Sequence, residues 1–205
     1  MSVLRSGVVE RLEEIAKQIQ MCTKCRLHET RRRPVPGEGR AERGVMIVGE
    51  APGEKEDEEG RPFVGAAGRL LTQALNKLGV DRARDVFITN VVKCRPPGNR
   101  EPLDDEIAAC LPYLVEQIKA IRPRLIIALG FYSAKTLMGL AGRKVVKISE
   151  VRGRCFNVKI ADVETAVCVT YHPAAALYNP GLRDVLEGDL AKFLGRSQGG
   201  LLKYL

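Results

Sequence analysis

Val8, Val9, Leu12, Ile15, Ala16 and Ile19 recur at helical spacing after Ser6, which predicts an amphipathic helix ending just before Cys22. A basic loop rich in Pro and Gly follows. Beyond it, short apolar runs alternate with helical segments. Val45 to Val48 reads as a strand, Ala66 to Leu78 as a helix closed by Gly79, Val86 to Val92 as a second strand, and Leu103 to Ile121 as a long helix. Leu125 to Leu129 ends at Gly130 and leads into a helix near Ser133 to Leu140, and Ala166 to Thr170 reads as the last core strand. Between them, Val145 to Ile160 has alternating apolar residues and no helical signature, as expected of a hairpin whose second arm runs into that last strand. The order predicts an α/β fold with a largely parallel sheet. Sheets of this kind bind ligands outside the carboxyl ends of their strands, where the polar residues are Glu50, Asn90 and His172.

With 205 residues, 45% of them hydrophobic, the chain can bury one substantial core, so a single domain is expected. The 33 Lys and Arg against 25 Asp and Glu give a formal charge of +8, which favours a polyanionic partner without identifying it. No apolar run is long enough to span a bilayer, and acids interrupt the apolar pattern of Met1 to Ile19, unlike a signal peptide. A cytoplasmic protein is expected. Glu, Lys and Arg are plentiful and Asn and Gln scarce, a balance that leans towards a thermophile.

In a reducing compartment six cysteines are metal ligands, catalytic groups or buried small side chains more often than a disulfide framework, hyperthermophiles excepted. Cys22 and Cys25 form a C-x-x-C pair after the first helix, and Cys94 and Cys110 lie beyond the second strand, separated by a Pro-rich loop and part of a helix. A zinc ribbon would show two close pairs. Here the second two thiols sit on separate elements, which suits an iron-sulfur cluster that clips distant segments together. The competing reading makes Cys110 a buried small residue and Cys22 with Cys25 a redox pair. His28 is near enough in sequence to replace one ligand, or it is a solvated loop residue. Cys155 and Cys168 would face each other if a hairpin turned near Ala161 and Asp162, giving either a cross-strand disulfide or two buried thiols.

The most specific stretch is Gly49-Glu50-Ala51-Pro52-Gly53-Glu54, continuing through Lys55-Glu56-Asp57 to Gly60-Arg61-Pro62-Phe63-Val64-Gly65. It resembles the first active-site motif of family 4 uracil-DNA glycosylases. The likeness continues in Thr89-Asn90-Val91-Val92-Lys93-Cys94-Arg95-Pro96-Pro97 with Asn99-Arg100, and in His172-Pro173-Ala174. With the four cysteines in order it covers the chain from Cys22 to about Leu194. The resemblance implies a three-layer α/β/α domain over residues 1–195 and a 4Fe-4S cluster held by Cys22, Cys25, Cys94 and Cys110. It also implies that Phe63 stacks on a flipped uracil, that Asn90 reads its Watson-Crick edge, and that His172 faces the uracil O2.

Each implied role has a physical basis. A base must leave the duplex to be reached, and stacking on an aromatic face recovers part of the cost. An Asn side chain offers the donor and acceptor that complement O4 and N3–H of uracil and mismatch cytosine. Cleavage of the N-glycosidic bond puts negative charge on the departing base and positive charge on the sugar. His172 would stabilise the first charge; a carboxylate, for which Glu50 is the candidate, would stabilise the second or orient water. Archetypal uracil-DNA glycosylases carry a catalytic aspartate one residue after the position matching Glu50, where this chain has Ala51, a residue expected to line the uracil pocket. Glu56 is read as a guard against the thymine methyl and Asn99 as a support for Glu50 or a water. Leu177 is read as the apolar wedge that fills the gap left by the flipped base. Core, capping and solvated-loop readings compete for Phe63, Asn90 and the acidic run Glu54 to Glu59.

Arg26, Arg31, Arg32 and Arg33 adjoin the cysteine segment and Arg95 and Arg100 its second half; all are expected to touch phosphates of single- or double-stranded DNA containing uracil. Residues 196–205 read as a flexible tail. Its Gln198, Leu201, Tyr204 and Leu205 resemble a peptide that binds a PCNA-type sliding clamp, which favours an archaeal source. The expected activity is that of a monomeric, monofunctional glycosylase of base excision repair, since no lysine is obviously placed for a Schiff base. A non-catalytic iron-sulfur DNA-binding module and a glycosylase of broader base choice are the alternatives.

Overall fold

The computed structural model describes residues 2–195, so Gln198, Leu201, Tyr204 and Leu205 of the clamp-like tail lie outside the described residues. Three apolar runs form strands buried along their whole length: β1 (Val45–Gly49), β2 (Val86–Asn90) and β3 (Leu125–Leu129). Burial on both faces calls for a continuous apolar run rather than alternation, and it is the mark of a parallel sheet covered by helices. The hairpin β4 (Cys155–Ile160) and β5 (Val163–Thr170) completes a sheet of order β2-β1-β3-β5-β4, in which only β4 is antiparallel to its neighbour.

Successive strand residues point to opposite faces. Met46, Val48, Ile126, Ala128 and Val169 enter one core beneath α1 (Ser2–Gln20) together with residues of a long helix and the helix after β3. Val45, Ile47, Ile88, Ile127 and Cys168 enter the other. The helices follow in chain order as α2 (Glu54–Glu59), α3 (Ala66–Lys77), α4 (Asp104–Ile121), α5 (Phe131–Leu140), α6 (Ile148–Val151), α7 (Pro173–Tyr178) and α8 (Gly181–Leu194). α1, α4 and α5 cover the first face, while α3, α7 and α8 cover the second, giving three layers.

Three expectations change, and one segment left unassigned proves helical. Strand β2 stops at Asn90, because the chain bends there and Val91 and Val92 donate their N–H groups to the Gly49 and Glu50 carbonyls. The stretch read as an alternating arm over 145–160 becomes strand only from Cys155 and contains α6. Val145, Ile148 and Val151 are three apart, and all pack on the α5 side of the sheet while Val146 is exposed; the spacing was helical. The acidic run after β1 is the helix α2, with Glu54, Glu56 and Asp57 in its first turn, where carboxylates suit the helix dipole. The segment carrying Leu177 is α7, begun by Pro173 at the position where proline is best accepted.

Candidate active site

The carboxyl ends of β1, β2 and β5 open onto a cavity of about 400 Å³ lined by Glu50, Ala51, Glu56, Phe63, Asn90, Asn99, Arg100, His172 and Tyr178, among others. Three sequence segments far apart in the chain therefore meet at one place, as the topology of a parallel sheet requires.

Asn90 ends β2, is 1% exposed, and its side-chain Oδ1 has no hydrogen-bond partner among the described residues. An orphaned buried acceptor is costly unless a ligand satisfies it. Its backbone carbonyl is held by Lys93 Nζ at 2.6 Å; this ammonium, wholly buried, also donates to Thr89 Oγ1 and Gln117 Oε1. Gly49 is obligatory beside it, since a side chain there would strike both Asn90 Oδ1 and the Phe63 ring.

Phe63 is buried and holds a left-handed backbone, φ 51°, unusual for an aromatic residue. Two anchors that motif reading did not find fix this conformation. Arg82 donates to the carbonyls of Pro62 (2.6 Å) and Phe63 (2.8 Å) while paired with Glu38 at 2.7 Å. Glu56 accepts the backbone N–H groups of Gly53, Val64 and Gly65. Its carboxylate thus holds the loop while also lining the cavity. Helix α3 passes so close that Gly68 has no room for a Cβ against the Phe63 backbone.

His172 caps α7, accepting the Ala174 N–H at Nδ1 (3.2 Å), an arrangement that leaves the proton of a neutral ring on Nε2. The ring centroid lies 5.6 Å from that of Phe63. Burial holds its pKa down to about 4, only partly offset by the Glu56 charge, so the imidazole is neutral at physiological pH. Glu50 behaves oppositely: desolvation first, then the like charge of Glu101, lift its carboxyl to about 7. Glu101 is itself held by the Tyr132 hydroxyl. Asn99 accepts a hydrogen bond from Arg95 Nε at its Oδ1 (2.7 Å) and lines the same cavity as Glu50.

Two arginines expected at phosphates have internal work. Arg31 donates to Cys94 Sγ and to the Gln20 carbonyl. Arg100 grips the fully buried Glu106 carboxylate with both terminal nitrogens, at 2.8 and 2.6 Å. Arg26 and Arg32 pair with Asp105 and Glu58, and Arg95 reaches Glu54 at 3.6 Å; these partners or the arginines themselves are exposed. Arg33 is exposed with no charged partner among the described residues. Leu177 is 45% exposed on α7.

Behind Lys93 lies a second pocket, lined by Cys22, Cys25, Cys94 and Cys110 with Ile19, Lys24, His28, Arg31, Lys93, Ala109 and Tyr113. Two sulfurs receive N–H donors, Cys94 from Arg31 (3.1 Å) and Cys110 from the Lys93 backbone (3.2 Å). Burial raises the thiol pKa values of Cys25, Cys94 and Cys110, the last to about 11, so that deprotonation here needs a compensating positive charge. His28 is turned to the Cys25 carbonyl through Nδ1. Among the described residues no group of three or more His, Cys, Asp or Glu side chains is arranged to hold a metal ion. Elsewhere, Cys155 stands opposite Cys168 in the β4–β5 register and the two are joined as a disulfide, the chain turning at Ala161 and Asp162. No helix of the described residues is long and apolar enough to cross a membrane.

The family model of the uracil DNA glycosylase superfamily matches residues 36–192, which contain Glu50, Phe63, Asn90 and His172. A type-4 uracil-DNA glycosylase of Pyrobaculum aerophilum is 57% identical over 194 residues, covering 95% of this chain and 97% of the relative. One of Sulfurisphaera tokodaii is 52% identical over 185 residues (90% and 84%), and one of Archaeoglobus fulgidus 44% over 200 residues (96% and 100%). Layers, strand-end cavity and similarity agree, and the chain belongs to the type-4 uracil-DNA glycosylases.

Proposed function

We propose that the strand-end cavity takes uracil extruded from DNA and hydrolyses its N-glycosidic bond, leaving an abasic site for other enzymes of base excision repair. The observation that carries this reading is the orphaned, buried Oδ1 of Asn90 beside an aromatic ring and a neutral imidazole. An acceptor fixed in that place pairs with the N3–H of uracil, while cytosine offers another acceptor there and is refused. Phe63 supplies the stacking face, and its clamped backbone means that little order is lost on binding.

As the bond to C1′ lengthens, electrons collect on the base and the Nε2–H of His172 donates to O2. A neutral donor already aimed at O2 meets the developing charge by hydrogen bonding, with no proton transferred. Glu50, when ionised, faces the sugar, where it stabilises the cationic centre or takes a proton from the attacking water. Ala51 leaves the neighbouring position without a carboxylate, so this duty falls to Glu50. Asn99 lines the same cavity and, through Arg95, keeps the loop after β2 in place.

Cys22, Cys25, Cys94 and Cys110 are assigned to a 4Fe-4S cluster. In support, all four line one pocket and two accept N–H bonds of the kind that tune thiolate-bound clusters. Tetrahedral zinc would instead need sulfurs gathered around a single ion. When bound, the cluster supplies a cross-link of the chain after α1 to α4 and to the segment following β2. Arg32, Arg33 and Arg95 are assigned to phosphates, since exposed ion pairs are weak enough to exchange for DNA. The sequence from Gln198 to Leu205 is assigned to a PCNA-type clamp.

An oligonucleotide with one labelled deoxyuridine tests the central reading. Strand breakage only after alkali is the expected result. Tight binding by cluster-bearing protein with no breakage after alkali would replace it with a DNA-binding module.

A further inference from the structure

Tyr178 is 90% exposed, the most exposed large apolar side chain among the described residues, although it also lines the mouth of the cavity. It has no hydrogen bond, ring contact or cation over its face among the described residues. A free aromatic ring at the rim of a site is a large apolar surface waiting for a partner, and burying it costs little rotamer freedom. Tyr178 ends the six-residue α7, whose cap is His172, so the backbone at Tyr178 stands roughly 9 Å along the helix axis from that at His172. Leu177, beside it, is 45% exposed and is the residue that the sequence reading assigns to the gap left by an extruded base.

We propose that Tyr178 is a stacking platform for the nucleobase flanking the extruded uracil, and that it allows the site to hold a single strand. The inference rests on the uracil-excising reading above. In a duplex, the flanking base keeps part of its stacking through the complementary strand; in a single strand that partner is missing, and an aromatic face on the protein replaces it. Stacking of this kind is indifferent to sequence because every base has a π-face. The platform therefore widens the range of substrates without changing which base is removed.

The test places 2-aminopurine next to a non-cleavable deoxyuridine analogue in a single strand and compares the wild-type protein with Tyr178→Ala and Tyr178→Phe. The wild type and Tyr178→Phe are expected to quench the probe and Tyr178→Ala to leave it bright. In steady-state uracil release, Tyr178→Ala should raise KM on single strands by about tenfold while KM on duplex and kcat move by less than about twofold. Unchanged quenching with Tyr178→Ala, or equal losses on single and double strands, would overturn the assignment. Uracil release by the wild type in the same assay reports the underlying reading separately: if it is absent, that reading fails rather than the platform alone.

Discussion

Glu50 and His172, to which the proposed reaction assigns the chemistry, have their proton affinities moved in opposite directions. Desolvation raises the Glu50 carboxyl to about 7 and lowers the His172 imidazole to about 4. The single-turnover rate of uracil release should therefore rise as pH passes through about 7 and then level, with no limb from His172 above pH 5. Glu50→Gln should flatten that profile and slow the reaction at least about a hundredfold. Stability carries the same signature. Because the folded pKa of Glu50 lies above its unfolded value, the folded state holds the proton more firmly. The cost of burying the ion is absent below the ordinary carboxylate range and grows as pH rises through 7. Glu50→Gln should raise Tm at pH 8, by roughly 1–2 kcal/mol of stability given the water that still reaches the group, and leave it unchanged at pH 4. A flat profile in the wild type would exclude Glu50 as the titrating group. At this scale the sequence was most legible where chemistry demands a particular side chain: Asn90, Phe63 and His172 could be found from their motifs. Arg82 and the loop-holding role of Glu56 could not, because most of their partners are backbone atoms 8 to 20 residues away, which no motif encodes.

Among the elements, the strands and the long helices were legible because continuous burial and helical periodicity leave strong patterns. Boundaries were lost where a short helix borrowed strand-like residues, as Ile148 and Val151 do in α6, or where a proline began a helix after a polar residue, as in α7. The convergence of Cys22, Cys25, Cys94 and Cys110 was legible only as spacing; the pocket beneath Lys93 comes from packing α1 and α4 on the same face of the sheet. If an iron-sulfur cluster joins these elements, Cys110→Ser should remove the protein's brown colour and iron, and lower Tm by about 10 °C, which corresponds to a few kcal/mol in a chain of this size. Purified wild-type protein that is colourless and contains zinc would contradict the assignment.

Over the whole molecule, a charge of +8 forecasts a polyanionic partner but not where it binds, because ion pairing within the fold decides which charges remain available. Arg100 is spent on the buried Glu106, and Arg31 on a sulfur and a carbonyl, whereas Arg33 has no charged partner among the described residues. Arg100→Ala should accordingly lower stability by leaving the Glu106 carboxylate without its cation, and Arg33→Ala should instead reduce the salt slope of DNA binding by about one. Three layers of helices and sheet serve to carry Glu50, Asn90 and His172 to one rim, and the claim that this rim removes uracil is open to one direct measurement. Duplexes each bearing a single uracil, cytosine, thymine or hypoxanthine are incubated with the wild type and with His172→Ala, and the liberated base is identified by mass spectrometry. The account predicts free uracil alone from the wild type, and its release slowed at least about a hundredfold in His172→Ala. No free base from the uracil duplex, or release of thymine or hypoxanthine at a comparable rate, would contradict it.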